Sequence, residues 1–170
     1  MIRKVMMLAG IAAVAATAFL LAPAESRTAE AVKDPTIIDI AAGNPNFTTL
    51  VVAVQEAGLV ETLDANRQFT VFAPTNDAFA DIGLNAGNIG TVPGEVLKGI
   101  LLYHVAPGNR EASDVLDSDK IRTMSRGFLY PVLTNSGLTI EAANSTAHVV
   151  AADIDASNGV IHVIDTVLLP

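Results

Sequence analysis

TVFAPTNDAF, Thr70–Phe79, and NGVIHVIDTVLLP, Asn158–Pro170, are the two stretches whose reading decides the fold. In and just before the first, Phe69, Val71 and Phe72 suit a pleated, half-buried surface, and Pro74 ends the run. Thr75, Asn76 or Asp77 can then accept backbone N–H bonds and cap a short helix at Ala78, so this segment predicts a strand turning into a helix. In the second, Asn158-Gly159 supplies the positive backbone angles of a tight turn. The apolar run Val160–Leu168 that follows predicts a long strand lying deep in a sheet.

Upstream of the first stretch the apolar spacing is helical. Pro35 suits a first helical turn, Ile37, Ile38 and Ala41 share one face, and Gly43-Asn44-Pro45 stops the helix. Phe47, Leu50, Val51 and Val54 mark a second helix that Gly58 closes, and Val60 and Leu63 mark a shorter turn. Downstream, Gly83–Gly94 reads as an irregular loop. Pro93 opens a helix carrying Val96, Leu97, Ile100 and Leu101 on one face, and Pro107-Gly108 stops the chain there. A short helix capped by Ser113 holds Val115 and Leu116. From Lys120 the pattern becomes strands: Ile121–Met124, Phe128–Leu133, Leu138–Ala142, His148–Ala152 and Val160–Leu168. Helices first and strands later predict an α+β domain without internal repeats.

The two deciding stretches, with LLYHV at Leu101–Val105 between them, resemble in order and spacing the motifs of the fasciclin (FAS1) family. The resemblance covers Asp34–Pro170, the size of one whole domain. It implies a bacterial-type secreted single-domain member with the FAS1 fold, a two-sheet β-wedge with helices packed alongside. It also implies adhesion: non-catalytic recognition of a protein, matrix component or surface glycan. By family analogy the contacts are Tyr103 and His104 with their apolar flanks Leu101 and Val105. Their rings can pack while their polar tips hydrogen-bond, as an exposed amphipathic patch or as pins that hold the helix to the sheet from inside.

The remaining chemistry is sparse. Thr75, Asn76 and Asp77 are structural or contact residues, with backbone capping the simplest task for Asp77. His162, flanked by Ile161 and Val163 on the opposite strand face, reads as a buried hydrogen-bond partner, with a group in the first stretch as a candidate mate. His104, His148 and His162 lack the spacing of a metal-ligand set, and no cofactor is implied. The chain has no G-x-S-x-G, no phosphate-cradling Gly-rich loop and no H-E-x-x-H, so it does not read as an enzyme. Asp114, Asp117 and Asp119 read as a solvated acidic face. Phe128 and Tyr130 beside Arg122 and Arg126 depart from the family pattern; they read as core strand residues, with an exposed binding patch as the alternative.

Targeting and charge set the context. Arg3 and Lys4 precede an uncharged run, Val5–Leu21, and the A-x-A pattern Ala22-Pro23-Ala24, as in a secretion signal. Cleavage at 24 or at 31, or retention as a membrane anchor, all fit; residues 25–33 read as a flexible lead-in and 34–170 as the domain. Removing residues 1–24 takes away Arg3 and Lys4 and no acid, moving the formal charge from −8 to −10. Such a surface repels phosphate backbones, which disfavours nucleic acid and anionic lipid as partners. With no Cys in the chain, the core must hold by apolar burial alone. The expected location is extracellular or periplasmic. The rival to adhesion is a periplasmic carrier or sensor of a small hydrophobic ligand such as haem, which requires a concave apolar site with a histidine at its wall.

Overall fold

The two deciding stretches lie side by side. β1 (Phe69–Pro74) and β7 (Gly159–Ile164) pair in parallel, in register from Phe69↔Gly159 to Pro74↔Ile164. Both are buried at every residue, as a parallel pair covered on its two faces must be. The structure, a computed structural model, describes residues 34–65 and 67–170. The expected signal segment and lead-in fall outside them.

Among the described residues six short α-helices accompany the sheet: α1 (Ile37–Ala42), α2 (Thr48–Glu56), α3 (Val60–Leu63), α4 (Asn76–Ala80), α5 (Gly94–Tyr103) and α6 (Ala112–Leu116). The other strands are β2 (Val105–Pro107), β3 (Ile121–Arg122), β4 (Phe128–Thr134), β5 (Gly137–Glu141) and β6 (Thr146–Ala156). Their order is β2-β1-β7-β6-β5-β4-β3, with β1–β7 parallel and the other pairs antiparallel. β6 belongs to both halves of the wedge. Thr146–His148 pair with β5, whereas Val149–Ala156 pair with β7 through register shifts that turn the strand. The α+β arrangement expected from the sequence is thus present.

Alternation along β1 divides the core. Phe69, Val71 and Ala73 join Ile161 and Val163 and the apolar stripes of α1, α2 and α5 in one cluster. Phe72 points the other way, into a second cluster with Tyr103, Leu129, Ile140, Ile164 and Leu168. The helix starts follow capping chemistry. Thr36 accepts from the Asp39 N–H while the Asp39 carboxylate accepts from the Thr36 N–H, so the first helix has a reciprocal cap. Two details differ from the sequence expectation. Ser113 lies inside α6; Glu111 precedes that helix, and its N–H donates to the Asp114 carboxylate at 3.4 Å. The last strand ends at Ile164, because beyond it Leu168 N–H turns to a histidine instead of to a strand neighbour.

Asn158 closes the turn between β6 and β7 and does more than turn the chain. It is buried; its Oδ1 accepts from Ile37 N–H at 2.9 Å, its Nδ2 donates to the Leu63 carbonyl, and its own carbonyl accepts from Phe69 N–H. One amide therefore fastens α1, α3 and β1 to the start of β7. Gly159 beside it has φ +150°, and a Cβ there would stand 1.9 Å from the Phe69 carbonyl oxygen. Gly159→Ala is therefore expected to destabilise the domain by at least about 2 kcal/mol, since backbone must move to admit the methyl group. Gly99→Ala, inside α5 with open space around its Cβ, is expected to stabilise by about 0.5–1 kcal/mol. Urea midpoints of the two variants, displaced in opposite directions from the parent, check both statements.

Candidate functional site

The residues expected to contact a partner are inside the molecule. Leu101, Tyr103 and Val105 are each 2% exposed and His104 is 1% exposed, so the Tyr-His stretch does not form a surface patch. The cause is its position at the end of α5, where the chain turns into β2 and passes between the two core clusters.

His104 is bonded on every side. Its Nε2 accepts from Leu168 N–H at 2.8 Å, which leaves the proton on Nδ1 to donate to the Ile100 carbonyl at 2.8 Å. Its own carbonyl accepts from Phe72 N–H. The ring thus joins the Tyr-His stretch to the C-terminal stretch, and the main chain joins it to the first. Tyr103 acts likewise. Its hydroxyl donates to the Phe128 carbonyl at 3.0 Å and accepts from Ala143 N–H at 3.3 Å, while its ring lies against Gly127, where a Cβ would stand 2.1 Å from the aromatic edge.

The first stretch resolves in the same sense. Thr75, not Asp77, caps α4 by accepting from Ala78 N–H. Asn76 reaches back to Thr49 N–H and the Pro45 carbonyl, tying α4 to the entrance of α2. Asp77 is exposed in the first turn of α4, where its charge faces the helix N-terminus. His162 is buried, as expected, but its bonds run elsewhere than to the first stretch. Nε2–H donates to the Arg110 carbonyl at 2.9 Å and Nδ1 accepts from Asp153 N–H at 3.3 Å; only its ring meets the first stretch, stacked on Phe72 at 5.5 Å. His148 is exposed and bonds through Nδ1 to the Thr139 hydroxyl.

What the structure does present to solvent is the outer face of β4, where the sequence reading favoured core. Phe128 is 39% and Tyr130 46% exposed, and Val132 continues the apolar surface on the same strand face. Leu129 takes the inward position instead, fully buried. Alternation alone could not assign the faces, because both sides of 128–133 are apolar. Beside these rings lies an open hollow of about 300 Å3 lined by Tyr103, Gly127, Phe128, Tyr130, Ala143 and Pro170. A more polar hollow of about 470 Å3 lies along Gly108–Arg110 and Asp114–Ser118. Neither has a histidine in its wall. Among the described residues no group of three His, Cys, Asp or Glu is placed to hold a metal ion, and no helix is long and apolar enough to cross a membrane.

Burial holds the His104 pKa down at about 4, against which the Ile100 carbonyl works more weakly. Burial also lowers His162, opposed by the Arg110 carbonyl and the Asp153 charge. Above the unfolded value of 6.5 both forms of His104 are neutral and it contributes no pH slope. As pH falls from 6.5 towards 4 the unfolded chain takes up a proton that the fold excludes, so stability falls, by about 3 kcal/mol over that window for His104 alone. Urea midpoints are expected to drop between pH 7 and 4.5. His104→Gln is expected to be less stable at pH 7, because it breaks the Leu168 and Ile100 bonds, yet to show a shallower dependence on pH. An unchanged slope would contradict the burial of this imidazole.

The model of the fasciclin domain matches residues 45–170. The chain is 45% identical over 139 residues to Protein sll1483 of Synechocystis, an alignment covering 79% of this chain and 73% of that one. It is 38% identical to pig transforming growth factor-beta-induced protein ig-h3, where the match covers 79% of this chain but 19% of the larger protein. The fold matches the FAS1 domain pair of the insect cell adhesion molecule Fasciclin I with a TM-score of 0.69 and 18% identity, over 80% of this chain and 51% of that one. With its three motifs bonded to one another in the core, the chain is a member of the fasciclin family.

Proposed function

We propose that the protein is an exported recognition module that binds a protein, matrix component or surface glycan without chemical turnover, in the manner of an adhesion domain. The observation that carries this reading is the solvent-facing apolar surface of β4, with Phe128, Tyr130 and Val132 in line and Leu133 and Val150 also exposed. A contiguous apolar and aromatic surface on a monomer is the signature of a macromolecular contact. The family's name-giving structure, described as a cell adhesion molecule, supports the same class. The buried histidines support non-catalytic action: both ring nitrogens of His104 and of His162 are engaged with main-chain groups, so neither of these two is free to shuttle a proton.

Within this reading Tyr103 and His104, with Leu101 and Val105, act as the scaffold of the contact surface and not as its outer layer. Tyr103 bonds the carbonyl of Phe128 from below, so the Tyr-His stretch sets the position of the exposed rings, and the Tyr103 ring also lines the hollow beside them. The carrier reading, with haem or a similar ligand against a histidine, is disfavoured by the burial of His104 and His162, neither of which lines the hollow beside the β4 rings or the one along Gly108–Ser118.

The test is binding of the fluorescently labelled full-length chain to cells and extracellular matrix of its source, beside Tyr130→Ser/Val132→Thr. These side chains face solvent, so the double variant is expected to stay within about 0.5 kcal/mol of parent stability. It is expected to lose about tenfold or more in binding, the scale of removing an aromatic anchor. Saturable parent binding that the variant retains would move the contact off β4. An absence of parent binding to any surface would remove the recognition reading.

A further inference from the structure

We infer that the β3–β4 face, together with the hollow beside it, is a docking site for an acidic protein segment bearing an aromatic or aliphatic anchor residue. This inference rests on the recognition reading above and names the chemistry of the partner.

The chain is acidic, with ten Lys and Arg against eighteen Asp and Glu. Yet three of those ten cations, Lys120, Arg122 and Arg126, fall within seven residues, and all three are exposed around this face. Lys120 Nζ stands over the Phe128 ring, 5.0 Å from its centroid. Arg122 is the direct register partner of Phe128 across β3–β4, so the two side chains share the outer face. Arg126 heads the turn into β4 beside Gly127, which lines the hollow. None of the three is within ion-pairing distance of a carboxylate among the described residues. Glu141 is the direct partner of Tyr130 on β5 and Asp119 precedes Lys120, while the three cations lie along the β3 side of the rings.

A second observation points to the same place. Arg126 holds φ at +78°, a left-handed conformation that glycine adopts without penalty and an arginine side chain does not. Its neighbour at 127 is glycine because the Tyr103 ring leaves no room for a Cβ there. The turn that carries it is closed by the Arg126 N–H to the Thr123 carbonyl and by the Thr123 N–H to the Gly127 carbonyl, which hold this exposed cation beside the apolar hollow. The occupant follows from the mixture. Guanidinium and ammonium groups with no carboxylate partner among the described residues fit carboxylates, and the 300 Å3 hollow between Tyr130, Phe128 and Pro170 fits one large apolar side chain. Val132, two residues beyond Tyr130 on the same strand face, extends apolar contact along the strand in a way that a peptide uses and a carbohydrate does not.

The test is to pan a random heptapeptide display library against the full-length protein, then to titrate the most enriched peptide, fluorescein-labelled, by anisotropy. The expected set is rich in Asp and Glu around a single Phe, Tyr, Trp or Leu. Arg126→Gly is expected to weaken the peptide about tenfold while its thermal midpoint stays equal or rises, and Arg122→Glu to weaken it further. Lys98→Glu on α5 is expected to leave the affinity unchanged. An oligouronate competes for the same cations and is expected to displace the peptide only at far higher concentration. Failure to enrich any set, enrichment without acids, an unchanged affinity in Arg126→Gly, or tighter binding by the oligouronate would each overturn the inference. Binding to cells or matrix that persists undiminished in Arg126→Gly would overturn it while leaving the recognition reading intact, whereas loss of parent binding to every surface would remove both.

Discussion

The parallel pairing of β1 with β7 is the constraint on which the rest of the molecule depends. Parallel neighbours cannot be joined by a tight turn, so everything from Thr75 to Asn158 is one long crossover connection, and it must bring β7 home in register. The backbone at Gly159 lies so close to Phe69 that a shift in this register would meet main chain. Asn158 then carries the alignment outward, since its amide binds α1 and α3 and its carbonyl binds β1. A pair that unites residues about ninety apart contributes little until most of the chain is in place, which makes this domain dependent on late, long-range contacts.

Once β1 and β7 are paired, the burial of the Tyr-His stretch follows. β7 runs out at Ile164; Asp165 N–H still donates to the His148 carbonyl of β6, and the N–H groups that follow must find other acceptors. His104 supplies the acceptor for Leu168, from a ring whose other nitrogen is already committed to the end of α5. An apolar residue there would leave both groups unpaired in a dry core, and a charged one would have to shed its hydration. Neutral imidazole, with one donor and one acceptor on opposite edges, meets both demands. Tyr103 solves the matching problem on the other cluster, where the Phe128 carbonyl and the Ala143 N–H converge on a single hydroxyl.

Much of this was legible in the sequence because it is local. Strand-to-helix at Pro74 and Thr75, the stops at Gly43 and Gly58, and the strands after Lys120 all depend on residue types within a few positions. Burial of His162 followed from its apolar neighbours, but its partners, Arg110 and Asp153, are joined to it by a fold that no short window contains. The exposure of Phe128 and Tyr130 was the harder case. A strand with apolar residues on both faces has no periodicity to say which face is wet, and here the answer is set by Tyr103 and Gly127, which fix the turn that enters β4. Burial of Tyr103 and His104 was open in the sequence for a related reason: an amphipathic ring pair satisfies a core and a surface equally well.

The charge distribution has its own physical logic. A chain with formal charge −8 presents a repulsive far field to any acidic partner, and three cations at one edge do not reverse it at long range. At physiological salt the Debye length is about 8 Å, so the distant carboxylates are screened while Lys120, Arg122 and Arg126 act on whatever is within reach of the β4 rings. Approach is therefore slowed at low ionic strength and the contact itself remains strong only where both the cations and the hollow are used. That arrangement discriminates. A partner with charge but no apolar anchor meets the repulsion without entering the hollow, and one with an anchor but no charge leaves the strained Arg126 without a carboxylate. The wedge fold supplies the rigidity this needs, because the strand that displays the rings is bonded from beneath by the Tyr-His stretch that the rest of the core holds in place.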